Sequence, residues 1–499
     1  MLNHIIIASL LIVLLTSRST SSLDDNKCKK LKTLDFELYG TKTLYGDARK
    51  YLERKDELPN SFSESSLEEE HHNLIRKSCR PVLFYFFGRH SARFPDGDDA
   101  DLYNKHMAEI QNLLRKHYNQ TNCPEKTAEF INWRPKLKFN LDNLITHLGT
   151  IEQRDIAKRF KLLYPEFFNV KTSNVKIGVT TELRTSQTAV EFLKEVNGLK
   201  LDGCDEKSLP TYDVDDPKFD ADKVRTHSCY KKMQDNYAKP LLEFHEDCKS
   251  RLKSKGNKQK YLLVDRARDP KVVRDIVDSI AKKLGFENGE NSPINAAVLD
   301  SLYDNCRFEN AFLNDSIWCK LFSKKEMKAF EYIEDVNTYY KGGYGAEARP
   351  TQSCPLMRDL LEEFVKAAKE TSHMTGLQRR SVFYFSHATP MKKVLATFGL
   401  FKDDESYTES AIADFERSLK VPKKRDWRIS LITPFSANMA FILYRCQKAG
   451  KSDVTFKILS TVTEHPVKLG GCKEANCDSD VFFKKYEPLR TCDMSKICG

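Results

Sequence analysis

Val82-Leu83-Phe84-Tyr85-Phe86-Phe87-Gly88, running into Arg89-His90-Ser91-Ala92-Arg93-Phe94-Pro95, decides how this chain is read. The first seven residues form a short apolar run, rich in aromatic side chains and closed by glycine. Such a run predicts a strand buried on both faces. The next seven set two arginines and a histidine just past its carboxyl end, which in an open α/β sheet is where ligands bind. Arginine offers a planar fork of donors matched to phosphate oxygens, and its charge does not titrate away. A histidine with one free ring nitrogen is a nucleophile. Pro95 fixes its own φ and holds the residue before it extended. A lone Arg-His pair after a core strand is most often a basic surface loop, but the full Arg-His-x-x-Arg-x-Pro pattern reads as a phosphate cradle around a nucleophile.

Two further segments repeat that placement. A strand expected over Val175–Thr181 leads into Arg184 at the start of a helix, where backbone N–H groups and the helix dipole favour an anion. Another strand, Ser381–Ser386, leads into His387-Ala388-Thr389-Pro390. Helices are expected over Asp99–Tyr118 and Leu148–Leu163 from their apolar stripes. Strands are expected over Arg428–Thr433, Met439–Arg445 and Val454–Leu459, the first two joined as a hairpin through Pro434-Phe435-Ser436. Ser61–His72 is polar and acidic and reads as a loop. Between about residues 201 and 344 the texture turns helical, with runs at Asn236–Leu252, Pro270–Leu284, Asn295–Tyr303 and Lys324–Tyr340. The expected organisation is an α/β sheet domain in two parts, 23–200 and 345–499, interrupted by a mostly helical cap over 201–344.

Composition narrows the function classes. The 499 residues are 40% hydrophobic and 30% charged, an ordinary globular balance. Ile5–Leu15 is an apolar core of signal-peptide length followed by small polar residues, so 1–22 is expected to be removed, and no later stretch is apolar enough to span a bilayer. Fourteen cysteines, an even count, fit disulfides in a secreted or secretory-lumen chain better than metal ligation, because the close pairs are not Cys-x-x-Cys and no His pair follows at zinc spacing. Asn119 and Asn314 head glycosylation sequons. The net charge of +10 is dispersed and accompanies no nucleic-acid-binding motif, so the expected partner is a small polyanion rather than nucleic acid.

With Arg89-His90-x-x-Arg93-x-Pro95, Arg184 and His387 in hand, the chain resembles the histidine acid phosphatases, and within them the multiple inositol polyphosphate phosphatases. Tyr339-Tyr340-Lys341-Gly342-Gly343-Tyr344-Gly345, Phe398-Gly399-Leu400-Phe401-Lys402-Asp403 and Pro434-Phe435-Ser436-Ala437-Asn438 carry the resemblance further. It implies a phosphoglycerate-mutase-like sheet domain with an inserted helical cap, and phosphomonoester hydrolysis on inositol polyphosphates with no metal or cofactor. It implies that His90 attacks phosphorus while Arg89, Arg93, Arg184 and His387 hold the phosphoryl oxygens. It also implies disulfides joining Cys79 to Cys446, Cys229 to Cys248 and Cys472 to Cys477.

Two residues depart from the family pattern. Ser91 stands where glycine is usual, which costs about 1 kcal/mol if that backbone needs positive φ. Thr389 stands where the family has the glutamate or aspartate that protonates the leaving alcohol, and a hydroxyl cannot do this near neutral pH. General acid catalysis contributes about 10²–10⁴ in rate. The sequence therefore predicts a phosphatase of reduced activity, with a catalytically weak or inactive binder of phosphorylated small molecules as the alternative.

Overall fold

The computed structural model describes residues 38–498 apart from 55–57, 118–123, 202, 205–208, 211, 215, 217, 247–261, 288–291, 346–349, 373–378, 449 and 451. The expected signal segment, Asn119 and Cys248 lie outside the described residues.

The predicted aromatic run is the centre of a mixed sheet. Strand β1 (Cys79–Arg89) has β3 (Arg379–Ser386) parallel on one side and β4 (Asn438–Cys446) antiparallel on the other. Strand β2 (Ser173–Val179) extends the parallel half beyond β3. Strands β5 (Thr455–Val462), β6 (His465–Pro466) and β7 (Asn476–Asp478) extend the antiparallel half, giving the order β2-β3-β1-β4-β5-β6 with β7 also on β5.

Strand β1 is apolar from Val82 to Gly88 because both its faces are covered there. Phe84 and Phe86 point into one layer, where Phe84 meets Phe160 at 5.2 Å and Phe86 meets Phe192 at 4.6 Å. Those partners come from the helices His147–Leu163 and Leu183–Leu193. Tyr85 points the other way, edge-on to Tyr384, and both hydroxyls donate to Asp359 on the helix Cys354–Ser372 at 3.0 Å. Aromatic pairs of this kind add about 0.5–1.5 kcal/mol each beyond area burial.

Between β2 and β3 in sequence lie helices, among them Pro270–Leu284, Ala296–Leu313 and Lys324–Gly342. Among the described residues no helix is long and apolar enough to cross a membrane.

Several expectations are corrected. Ile429–Ile432 is one helical turn, not a strand, so no hairpin joins it to β4. Its isoleucines and leucine are fully buried, and a short apolar run carries no period that separates strand from helix. Within Ser61–His72, expected to be loop, a helix begins at Leu67 and runs to Arg76, opened by a capping box between Ser66 and Glu69. The helix expected over Asn236–Leu252 is only Lys239–Leu242 within the described residues. Cys229 is bonded to Cys204, 25 residues before it in sequence, rather than to Cys248. Disulfides join Cys79 to Cys446 across β1 and β4, and Cys472 to Cys477. Cys306–Cys319 and Cys354–Cys492 are also formed. Asn314 is exposed at the end of its helix.

Candidate active site

The strand register builds the site. Arg89 pairs with Ser386 at the last rung of β1 and β3, and the His90 N–H donates to the Ser386 carbonyl at 3.0 Å. The residues that follow, His90 and His387, therefore emerge side by side, and their ring centroids are 5.6 Å apart. Strand β2 ends level with them, so that Thr180 Oγ1 lies 3.0 Å from His387 Nε2.

His90 is buried, and its Nδ1 lies 3.0 Å from the Ser91 carbonyl oxygen. A carbonyl only accepts, so Nδ1 carries the proton and Nε2 keeps its lone pair. Burial, then the charge of Arg89, Arg184 and neighbouring groups, hold its pKa well below the usual histidine value, so the ring is neutral with its lone pair on Nε2. His387 is driven the same way, to about 2, by burial and then by Arg184.

Arg89 is buried over the Phe435 ring, and its Nη1 donates to the carbonyls of Thr41 at 2.6 Å and Thr433 at 2.8 Å. Burial and then Arg93 lower its pKa to about 9, and burial and then Arg184 lower that of Arg93 to about 10. Both stay cationic at neutral pH, held close to one another against their mutual repulsion. Arg93 Nη1 donates to the Phe94 carbonyl at 2.7 Å. Arg184 donates to Asn143 Oδ1 at 3.1 Å and to Glu182 Oε2 at 2.6 Å. The Nε atoms of Arg89 and Arg184 are buried donors with no acceptor among the described residues. Unsatisfied cationic donors beside a neutral histidine are the groups an anion would satisfy.

The loop that carries these groups is held from beneath. Thr146 N–H donates to the Ala92 carbonyl at 2.8 Å, and Gly149, one turn into its helix, packs against the same peptide. A Cβ on Gly149 would lie 2.5 Å from the Ala92 oxygen, so only glycine fits. Ser91 does not need positive φ. Its backbone N–H donates to Thr188 Oγ1 at 3.0 Å, with the two hydroxyls 3.1 Å apart, so the serine is accommodated without strain.

The profile of the histidine phosphatase superfamily, branch 2, matches residues 87–460. The chain belongs to that family. This histidine phosphatase is 23% identical over 501 residues to human multiple inositol polyphosphate phosphatase 1, across 98% of this chain and 94% of the relative. Its identity to the Drosophila melanogaster protein of that name is 25% over 438 residues, across 84% and 81%. Among solved structures it is similar in fold to the phytase from D. castellii (TM-score 0.60, 14% identity, 89% of this chain and 85% of that one). It is likewise similar to the Bifidobacterium longum multiple inositol polyphosphate phosphatase in complex with phosphate (TM-score 0.54, 14% identity, 88% and 94%). The histidine phosphatase is thus an enzyme of the histidine acid phosphatase type on a mixed α/β sheet.

The histidine phosphatase also gathers groups that the sequence did not single out. Lys42, on the 3₁₀ turn Gly40–Lys42, has its pKa lowered to about 7 by burial and then by Arg307 and Arg93. Lys392, buried on the helix Ala388–Thr397, is lowered to about 8, chiefly by burial. Arg307 and Glu334 come from the inserted helices, 3.0 Å apart, and Glu334 also accepts from the Thr41 hydroxyl at 2.6 Å. Burial opposes ionisation of Glu334, but Arg307 and Lys42 outweigh it and hold its pKa below the usual range. No local pattern marks these residues, because each reaches the site from a different, distant segment. Thr389, half-buried, occupies the second position of the Ala388–Thr397 helix.

Proposed function

We propose that this protein is a secreted phosphomonoesterase that removes phosphate from inositol polyphosphates through a phosphohistidine at His90. The observation that carries this is the His90 ring, locked by the Ser91 carbonyl with Nε2 free, beside Arg89, Arg93, Arg184 and His387. In-line phosphoryl transfer needs little covalent chemistry from a protein beyond a positioned nucleophile and prepositioned positive charge. The arginines hold the equatorial oxygens, His387 donates to one of them, and Nε2 attacks.

Preference for a polyphosphate is supported by the second set of cations. One phosphoryl group saturates the arginines near His90, whereas Lys42, Lys392 and Arg307 extend positive charge toward the helices of the 201–344 cap, where a ring bearing several phosphates finds partners for the others. The relatives' names point to the same substrate class. Secretion is supported by the disulfides, the exposed sequon at Asn314 and the apolar segment near the N-terminus.

Thr389 carries a second reading, that of a ligand-sequestering homologue with little turnover. Release of phosphate from inositol hexakisphosphate and from an aryl phosphate, with His90→Ala as control, separates the two. Turnover lost in His90→Ala supports the enzyme. Tight binding of inositol hexakisphosphate with no turnover on either substrate supports the sequestering reading.

A further inference from the structure

The carboxyl group missing at Thr389 has a counterpart elsewhere in the site. Glu243 follows the short helix Lys239–Leu242, and its Oε1 lies 4.0 Å from His387 Nε2. Its backbone is tied to the same strand ends that carry the site. Ser386 Oγ donates to the Leu242 carbonyl at 2.8 Å, and the Ala238 N–H donates to the Val179 carbonyl at 3.1 Å. The glutamate is therefore held at the ends of β2 and β3, not left on a free surface loop, and its side chain is buried.

We propose that Glu243 is the general acid of this enzyme, protonating the alcohol that leaves phosphorus. This rests on the phosphatase reading above. In an in-line transfer the leaving oxygen lies opposite His90 Nε2, about 5 Å from it, given an attack distance of about 3–3.5 Å. The His387 ring lies a comparable 5.6 Å from the His90 ring, and Glu243 Oε1 is 4.0 Å from His387 Nε2, which puts a carboxyl group beside the histidine that flanks the transfer.

The other carboxyl groups around the site are poorly suited. Glu334 is held ionised by Arg307 and Lys42, and Asp96 is held low by Arg93 although burial opposes it. Glu182 is half-exposed and paired with Arg184. Glu243 is pushed upward, first by burial and further by Glu246 and Glu182, against hydrogen bonds from the Tyr237 hydroxyl at 3.2 Å and the Thr181 hydroxyl at 3.3 Å. His387, 4.0 Å from it, is neutral. Carboxyl groups whose surroundings push their pKa values apart divide into acid and counter-ion.

The step balances without a further reactant. The His90 Nε2–phosphorus bond forms as the phosphorus–oxygen bond breaks, and the oxygen keeps that electron pair and takes the Glu243 proton. Water then attacks phosphorus, Glu243 carboxylate accepts its proton, and the Nε2–phosphorus bond breaks to restore His90.

The test is Glu243→Gln, assayed on inositol hexakisphosphate and on a series of aryl phosphates of graded leaving-group acidity. An alkoxide needs a proton and an acidic phenolate does not. kcat/KM, which reports phosphorylation of His90 and not the later hydrolysis, should fall about 10²-fold on inositol hexakisphosphate and hardly change on the most acidic aryl ester, making the leaving-group dependence steeper. Inhibition by inorganic phosphate should be unchanged, and Glu243→Gln/Thr389→Glu should recover inositol hexakisphosphate turnover. Equal loss of kcat/KM on all substrates, or no loss, with an active wild type overturns the role of Glu243 and leaves the phosphatase reading intact. A wild type inactive even on the most acidic aryl ester overturns both.

Discussion

Lys42 offers a quantitative test of the proposed polyphosphate site. Its ammonium is desolvated and faces Arg307, Arg93 and Arg89, with Glu334 in partial compensation, and its pKa of about 7 means that it is only half charged at neutral pH. A polyanion binds the charged form, so affinity weakens as pH rises through that value. Inositol hexasulfate is the suitable probe because its charge does not titrate, and His90 and His387 remain neutral across the range. For a pKa of about 7, the dissociation constant should rise about fourfold between pH 5.5 and 7.5, or about 0.8 kcal/mol. Lys392, at about 8, adds only about 1.3-fold over the same interval. In Lys42→Met the fourfold dependence should shrink to that residual. The affinity at pH 5.5 should also fall at least tenfold, within the limit of about 3 kcal/mol for a charge contact near 5 Å at an effective dielectric of about 20. Calorimetric titration in buffers of different ionisation enthalpy should show proton uptake on binding at pH 7 by the wild type and much less by the variant. An unchanged pH dependence in Lys42→Met would refute the assignment of Lys42 to the ligand site.

Gly149→Ala should lower the melting temperature, corresponding to about 1–3 kcal/mol, and reduce turnover. The new Cβ meets the Ala92 backbone oxygen, which cannot yield as a side-chain tip can, and differential scanning calorimetry checks the loss. Glu331→Gln should cost about 3–5 kcal/mol in denaturant unfolding, since it leaves Arg425 and Arg428 buried around a lost charge. Ser91→Gly should leave kcat within about twofold, because Ser91 lies outside the positive-φ region and its backbone bond to Thr188 survives.

The sheet and the first tier of the site were legible because both follow from one local rule. An apolar run ending in a polar, cationic loop marks a strand with its carboxyl end at the ligand, and β1, β2 and β3 each display it at Arg89–His90, Arg184 and His387. The second tier obeys no such rule. Lys42 sits on a 3₁₀ turn, Arg307 and Glu334 on amphipathic helices, and Glu243 on an irregular segment, and each reads locally as a solvated charge. Only tertiary packing brings them to the strand ends. Ile429–Ile432 failed for a different reason: burial on every side erases the alternation that tells strand from helix. The helix that begins at Leu67 was signalled by the capping pair of the Ser66 hydroxyl and the Glu69 carboxylate, three residues apart, which the acidic composition of the segment obscured.

The central claim is a covalent phosphoryl group on His90 Nε2. Rapid mixing with ³²P-labelled inositol hexakisphosphate, a denaturing quench and peptide mapping should trap a label that is stable to alkali and labile to acid, on the peptide containing Arg89-His90-Ser91, and absent from His90→Ala. An active enzyme that yields no such label, or one that still labels after His90→Ala, would contradict the account.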